Sequence, residues 1–332
     1  MIGAHKVVFK GNIFSRDASC IIEMRKIRID LLNVPRGLTL PIEGITIGVF
    51  DGLHRGHRAL VERLGSLCET GEKGLVTFSE HPKVLLAGES PVRLLEETRR
   101  ERLLEAWGLT WIVELETTRG LLSLEPEDFT ERLFDILTRV RVVVVGENFR
   151  FGKERRGEPR HLADPPQRRV ETVGVVRENG EIVSASGVRA ALLERDFEKV
   201  ERLLGRSYSV SAEKVGGDGI GKKDLVPTIN LVPPPEAVPD GIYVVGTPRG
   251  FAVCHLGDRP VFDSKERRFE IHLLDGLDDP GWGMWEVTFL KYLRPVRDFP
   301  SVEELRKAIE YDIERAREFC KGRQSEPSRE RR

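Results

Sequence analysis

Residues 45–60, ITIGVFDGLHRGHRAL, change periodicity within a few positions. Ile45 to Val49 is an apolar, β-branched run of strand character, whereas Leu60, Val61 and Leu64 recur at the spacing of one helical face. Phe50, Asp51 and Gly52 break the run between them, so the stretch reads as strand, turn, helix. His54 and His57 flank Gly56 at the helix start, one turn apart, where unpaired backbone amides favour an anion. The pattern predicts a phosphate site with titratable donors at the end of a buried strand.

Working outward, 332 residues suit two domains, each large enough for its own core. With 39% hydrophobic and 32% charged residues the composition is that of a globular protein, not a disordered one. Fifty-three basic residues against 54 acidic ones give no electrostatic case for a nucleic-acid partner. No apolar run approaches the roughly 18 residues of a membrane helix, and the N-terminus lacks a signal-peptide core. The expectation is a cytoplasmic protein without a membrane partner; homo-oligomerisation is left open. Cys20, Cys68, Cys254 and Cys320 lie far apart with no C-x-x-C pair, which suggests neither a zinc site nor a disulfide framework.

Residues 1–23 have weak periodicity and are set aside as an extension or a mis-assigned start ahead of Met24. From Met24 strands alternate with helices. Ile45–Val49, Gly74–Phe78, Trp111–Leu115 and Val142–Val145 read as buried strands, with helices after His57, through Arg99 to Trp107, and over Glu125–Leu137. Alternation of this kind predicts a parallel sheet covered on both faces, with ligands at the carboxyl ends of its strands. Ser186–Arg206 reads as one helix stopped by Gly205. After it, YSVSAEKV, PTINLV, GIYVV, FAVCHL, FEIHLL and WEVTFLKYL are short strand-like runs separated by Gly, Pro and Asp, the texture of a small antiparallel barrel or sandwich. Ser301 and Glu304 form a capping box ahead of a stripe of Leu305, Ile309, Ile313 and Ala316 that ends near Cys320. The expected domains are therefore 24–206 and 207–320, with 321–332 a polar tail.

The first half contains no G-x-x-x-x-G-K-[ST], and Gly48, Gly52 and Gly56 do not fit G-x-G-x-x-G, so P-loop and dinucleotide Rossmann readings lose their support. What stands is an ordered set: GVFDGLHRGH after one strand, His81-Pro82 after the next, GENFRFG after a later one, and SASGVRAAL at a helix start. With these four in order, the chain resembles the prokaryotic bifunctional riboflavin kinase/FAD synthetase family from about Ile45 to the helix ending near Cys320. The resemblance implies a Rossmann-like H-x-G-H nucleotidyltransferase domain followed by a small antiparallel β-barrel with a C-terminal helix.

For the first domain it implies transfer of AMP from ATP to FMN, an in-line displacement at phosphorus in which the protein positions reactants and stabilises charge. His54 and His57 would donate to the ATP phosphates, and Arg189 would pair with the leaving pyrophosphate. Gly48, Phe50, Asp51, Gly56, Ser184 and Ser186 would line the nucleotide; Ala185 departs from the family's S-S-T-x-I-R. Asn148, Arg150 and His81 would serve the flavin or ribose.

For the second domain it implies phosphorylation of riboflavin by ATP. Thr228 and Asn230 of the P-T-x-N element would hold Mg2+ with the ATP phosphates, Gly217 and Gly219 would form the glycine-rich loop, and Glu270 of E-x-H would be the general base. Three departures touch ligand loops: Leu225-Val226 replaces Gly-Phe, His255 stands for an Asn, and Asp279–Gly283 is one residue longer than D-L-Y-G. The first reading is thus a bifunctional enzyme using riboflavin, FMN and two ATPs with Mg2+. Two others stay open: an FAD synthetase whose barrel only binds flavin, and a non-catalytic flavin-binding regulator. A class I aminoacyl-tRNA synthetase shares H-x-G-H, but no K-M-S-K-S-like loop is present.

Overall fold

The computed structural model describes residues 8–10, 24–163, 168–216, 226–234, 237–258, 267–276 and 283–324. The chain divides into two compact units, Met1–Ala185 and Ser186–Arg332.

The first unit is built on a seven-stranded sheet: β1 (Val8–Lys10), β2 (Arg25–Ile29), β3 (Gly44–Ile47), β4 (Lys73–Phe78), β5 (Trp111–Leu115), β6 (Val142–Gly146) and β7 (Arg169–Val173). Their order is β1-β2-β5-β4-β3-β6-β7; β1 pairs antiparallel with β2 and the other six strands are mutually parallel. Parallel strands need crossover helices on both faces, which explains why β3, β5 and β6 read as continuous apolar runs. One face packs Ile27, Ile45, Val113 and Val143 against Phe129, Leu133 and Phe134 of α5 (Pro126–Ile136). The other packs Leu75, Ile112 and Val144 against Leu60, Val61 and Leu64 of α1 (Arg55–Leu67) and Leu104 of α3 (Glu97–Ala106). Two short helices, α2 (Pro82–Ala87) and α4 (Arg119–Leu122), two 3-10 turns (Lys153–Arg155 and Pro159–Ala163) and a hairpin of β8 (Arg177–Glu178) with β9 (Glu181–Ile182) complete the described part of the unit. After β3 the chain builds outward through β4 and β5, then returns to place β6 on the other side of β3. Their carboxyl ends diverge there, which is where ligands bind in open α/β sheets.

The second unit begins with two helices, α6 (Ala185–Leu193) and α7 (Phe197–Leu204), where the apolar spacing predicts one. Arg195 adopts a left-handed backbone (φ 59), and Asp196 Oδ1 accepts the Lys199 amide at 2.8 Å, capping the second helix. Gly205 stops α7 in the left-handed region as predicted (φ 76). The six strand-like runs become β10 (Tyr208–Val215), β11 (Ile229–Leu231), β12 (Gly241–Thr247), β13 (Gly250–Gly257), β14 (Arg268–Leu273) and β15 (Met284–Arg294), an antiparallel barrel closed in the order β10-β11-β14-β13-β12-β15. Tyr243, Cys254, Phe269, Ile271 and Phe289 fill its interior. The helix α8 (Val302–Gln324) starts at the expected cap, with Ser301 Oγ accepting the Glu304 amide at 3.2 Å, and runs four residues beyond Cys320. Lys321 in that last turn suits the negative end of the helix dipole. Ile313, Ala316 and Cys320 cover Ile242, Val244 and Val253 on the outside of the barrel, and Asp312 is paired with Arg294 of β15 at 2.8 Å.

Candidate active sites

Gly48 follows β3 directly, and its amide donates to Val76 O of β4 at 3.0 Å, continuing the ladder into the turn. Phe50 (φ 53) and Leu53 (φ 46) then take left-handed conformations with Gly52 (φ 74) between them. For non-glycine residues such backbone costs on the order of 1–3 kcal/mol each and persists only when the surroundings over-determine it. Here both side chains are buried in the core, and Asp51 Oδ1 accepts the Leu94 amide at 3.0 Å.

The turn delivers His54 to the N-cap of α1, where its Nδ1 accepts the His57 amide at 3.4 Å. A ring nitrogen that accepts carries no hydrogen, so neutral His54 keeps its proton on Nε2. The His54 and His57 rings stack with centroids 3.7 Å apart, and Phe50 stacks on the far side of His57 at 4.3 Å. Phe50, expected at the nucleotide, is 1% exposed; its ring backs His57, which leaves its backbone for a ligand. Gly56 leaves the His54 ring its place: a Cβ there would come within 3.1 Å of that ring, and 3.8 Å from Val183 O. That second distance brings the segment ahead of Ser184 alongside the histidine turn.

The other loops of this unit spring from neighbouring strand ends. Thr46 is in register with Val144, so Gly48 and Gly146 are adjacent, and GENFRFG leaves β6 beside the turn. Phe151 is buried, Phe149 is partly buried against it, and the two rings stack at 5.5 Å; Asn148 and Arg150 point outward between them. Arg150 donates to Phe149 O at 2.8 Å. His81 follows β4, on the other flank of β3, and caps α2 by accepting the Lys83 amide at 3.1 Å. His81, the histidine turn and Asn148–Arg150 therefore rise from the carboxyl ends of three adjacent strands. Ser186 and Arg189 stand one turn apart on α6 and belong to the second unit.

In the barrel, Asn230 of β11 and His255 of β13 are both directly opposite Glu270 of β14. Residues opposed in this way lie about 5 Å apart at Cβ and on the same side of the sheet. Ile229, Leu231, Phe269, Ile271, Cys254 and Leu256 point inward, so Asn230, Glu270 and His255 form a row on the outer surface. Thr228 precedes that row by two residues, and His272 Nδ1 lies 2.9 Å from Pro227 O, tying the P-T-x-N segment to β14. The His255 departure thus falls in the same row as Asn230 and Glu270. Cys254, behind this row, has its thiol pushed well up by burial and then by the charge of Glu270. Gly217, Gly219, Leu225 and Asp279–Trp282 lie outside the described residues. Thr228 and Asn230 offer the hard oxygen donors that Mg2+ takes. Among the described residues there is no group of three or more His, Cys, Asp or Glu that could hold a metal ion.

The segment Leu94–Arg100, which grips the turn from below, was not singled out in the sequence. Its only signal there is Arg100 standing four residues before Leu104, on the helix face that must be buried.

Comparison with known proteins agrees with both halves. Residues 41–187 match the FAD synthetase family and residues 204–320 the riboflavin kinase family. The bifunctional riboflavin kinase/FMN adenylyltransferase of Escherichia coli K12 is 31% identical over 296 residues, covering 84% of this chain and 94% of that protein. Its counterpart in Pseudomonas fluorescens is 31% identical over 283 residues, covering 82% and 91%. A solved structure titled as a macrolide-efflux protein from Streptococcus pneumoniae shares the fold, with a TM-score of 0.74 and 25% identity over 88% of this chain and 98% of that one. Among the described residues no helix is long and apolar enough to cross a membrane. With both family matches in order and relatives aligned over nearly their full length, the chain belongs to the bifunctional riboflavin kinase/FMN adenylyltransferase family.

Proposed function

We infer that the protein makes FAD in two steps: the barrel phosphorylates riboflavin to FMN with ATP, and the parallel-sheet unit transfers AMP from a second ATP to FMN, releasing pyrophosphate. The observation that carries this reading is the coexistence of two independent constellations, the stacked histidine turn at the β3/β6 switch point and the Asn230–Glu270–His255 row on the barrel.

In adenylyl transfer an FMN phosphate oxygen attacks the α-phosphorus and the bond to pyrophosphate breaks. His57 and the Nε2–H of His54 donate to the phosphates as charge moves onto the leaving group, and Arg189 pairs with the pyrophosphate. Gly48, Phe50, Asp51, Gly56, Ser184 and Ser186 shape the nucleotide's bed; Asn148, Arg150 and His81 serve the flavin. In the kinase step Glu270 takes the proton of the ribityl hydroxyl as its oxygen attacks the γ-phosphorus and ADP departs. Thr228 and Asn230 would hold Mg2+, which supplies charge neutralisation at the phosphates, and Gly217 and Gly219 match the family's glycine-rich ATP segment. His255 stands where the family has Asn, and the unbroken register of Asn230 and His255 with Glu270 supports Glu270 as the base.

The test is purified protein with ATP, Mg2+ and either riboflavin or FMN, the products resolved by chromatography. FMN and FAD from riboflavin, and FAD from FMN, are expected. FAD from FMN with no FMN from riboflavin would reduce the barrel to a flavin-binding module. Neither product from folded protein would overturn the reading.

A further inference from the structure

The histidine turn is held by a buried arginine that lies outside all the motifs. Arg100 of α3 is 7% exposed. Its Nη2 donates to Val49 O at 3.3 Å and to Thr77 Oγ1 at 3.0 Å, and the Thr77 hydroxyl donates in turn to Val49 O at 3.3 Å. The Val49 carbonyl belongs to the peptide plane entering Phe50, the first left-handed residue of the turn. Fixing that plane fixes where the Phe50 ring stands, and the Phe50 ring is the back wall of the His57–His54 stack.

The same segment grips the turn a second time, through the Leu94 amide on Asp51 Oδ1. The guanidinium is itself held from behind: Nη1 lies 3.4 Å from Glu97, which also pairs with Lys26 of β2 at 2.6 Å. Lys26 in turn faces the buried Glu114 at 3.7 Å, so the charges run as a chain from the sheet to the turn. Arg100 Nε is buried and has no partner among the described residues. Burying an arginine head with one donor unsatisfied is costly, and an apolar residue would fill the place more cheaply if packing alone were at stake. What an apolar residue cannot do is hold a carbonyl.

We propose that Arg100, with Thr77, is a positioning residue for adenylyl transfer: by clamping the Val49 carbonyl it sets the donors His54 and His57 at the phosphates. It touches neither nucleotide nor flavin and acts through the Phe50–His57–His54 stack. The inference rests on the adenylyl-transfer reading of this turn.

The test compares Arg100→Met, Arg100→Lys and Thr77→Val with the unaltered full chain, measuring FAD formation from FMN, riboflavin phosphorylation and thermal unfolding. For Arg100→Met the kcat of FAD formation should fall at least tenfold, with KM for ATP changed less than kcat and riboflavin phosphorylation unaltered. Arg100→Lys, which keeps a cationic donor, should recover to within about threefold of the unaltered chain. Thr77→Val should lower kcat about threefold without shifting the melting temperature, and it decides the matter if Arg100→Met does not fold. An unaltered kcat in folded Arg100→Met, or in Thr77→Val when it stands alone, would overturn the proposal, as would equal losses in the Met and Lys variants. If the unaltered chain itself made no FAD from FMN, it is the underlying functional reading that would fall instead.

Discussion

At Gly56 a single methyl group would separate stability from chemistry. Glycine inside a helix is about 0.5–1 kcal/mol worse than alanine, so on backbone grounds Gly56→Ala should stabilise α1. The added Cβ would, however, meet the His54 ring at 3.1 Å, and the ring must give by a few tenths of an ångström. It has little room to do so, being stacked on His57 and capping the helix with Nδ1. Gly56→Ala is therefore expected to keep or slightly raise the melting temperature while lowering the kcat of FAD formation about tenfold, since donors must be placed to well under an ångström. An unaltered kcat would show that the ring's position is not critical. His54, His57 and Gly56 were legible in the sequence because a phosphate-binding turn draws its residues from one short stretch. Arg100 was not, because its role exists only once α3 brings it to Thr77 of β4 and to the Val49 carbonyl in the turn after β3.

The helix α3 carries the element-scale consequence. Burial by itself would raise the Glu97 carboxyl, but the Lys26 hydrogen bond and the charges of Arg100, Lys26 and Arg93 outweigh it and hold the group below its ordinary value of 4.5. Lys26 shows the converse: burial pulls it down, yet Glu97 first and then Glu114 and Glu101 hold it above its ordinary value. The folded state thus binds the Glu97 proton less tightly than the unfolded chain does. Its contribution is present in full above about pH 4.5 and is lost as pH falls through the lower, folded value. Glu97→Gln should therefore flatten part of the acid-side fall in stability, measured as denaturant midpoint against pH; an unchanged slope would dismiss the ion chain as inert. At this scale the four central strands β3–β6 were legible as apolar, β-branched runs, whereas β2 (RKIRI) and β7 (RVETV) were not, because charged residues interrupt their apolar positions. The break between α6 and α7 was not, because Glu194-Arg195-Asp196 contains neither Gly nor Pro and the apolar spacing continues across it.

For the whole molecule, the two proposed sites draw on different residues and different strands, so each should work when the other is disabled. Glu270→Gln should abolish FMN formation from riboflavin and spare FAD formation from FMN; His57→Ala should do the opposite. Mixed together, the two variants should again convert riboflavin to FAD, because FMN released by one is substrate for the other. A mixture that forms FMN but no FAD would contradict the separation of sites. The barrel's six runs were readable one by one, yet neither their closure nor the row across β11, β14 and β13 could be read, since register depends on pairings distant in sequence. That row alternates residue by residue with the wall of the barrel core: Phe269 and Ile271 point in on either side of Glu270. Insertion or deletion of one residue within β14 would exchange the two sets, sending a carboxylate into hydrocarbon and two large apolar side chains into water. The kinase site should accordingly tolerate many substitutions around it but no change of length in these strands, and loops elsewhere must absorb whatever lengthening the gene acquires.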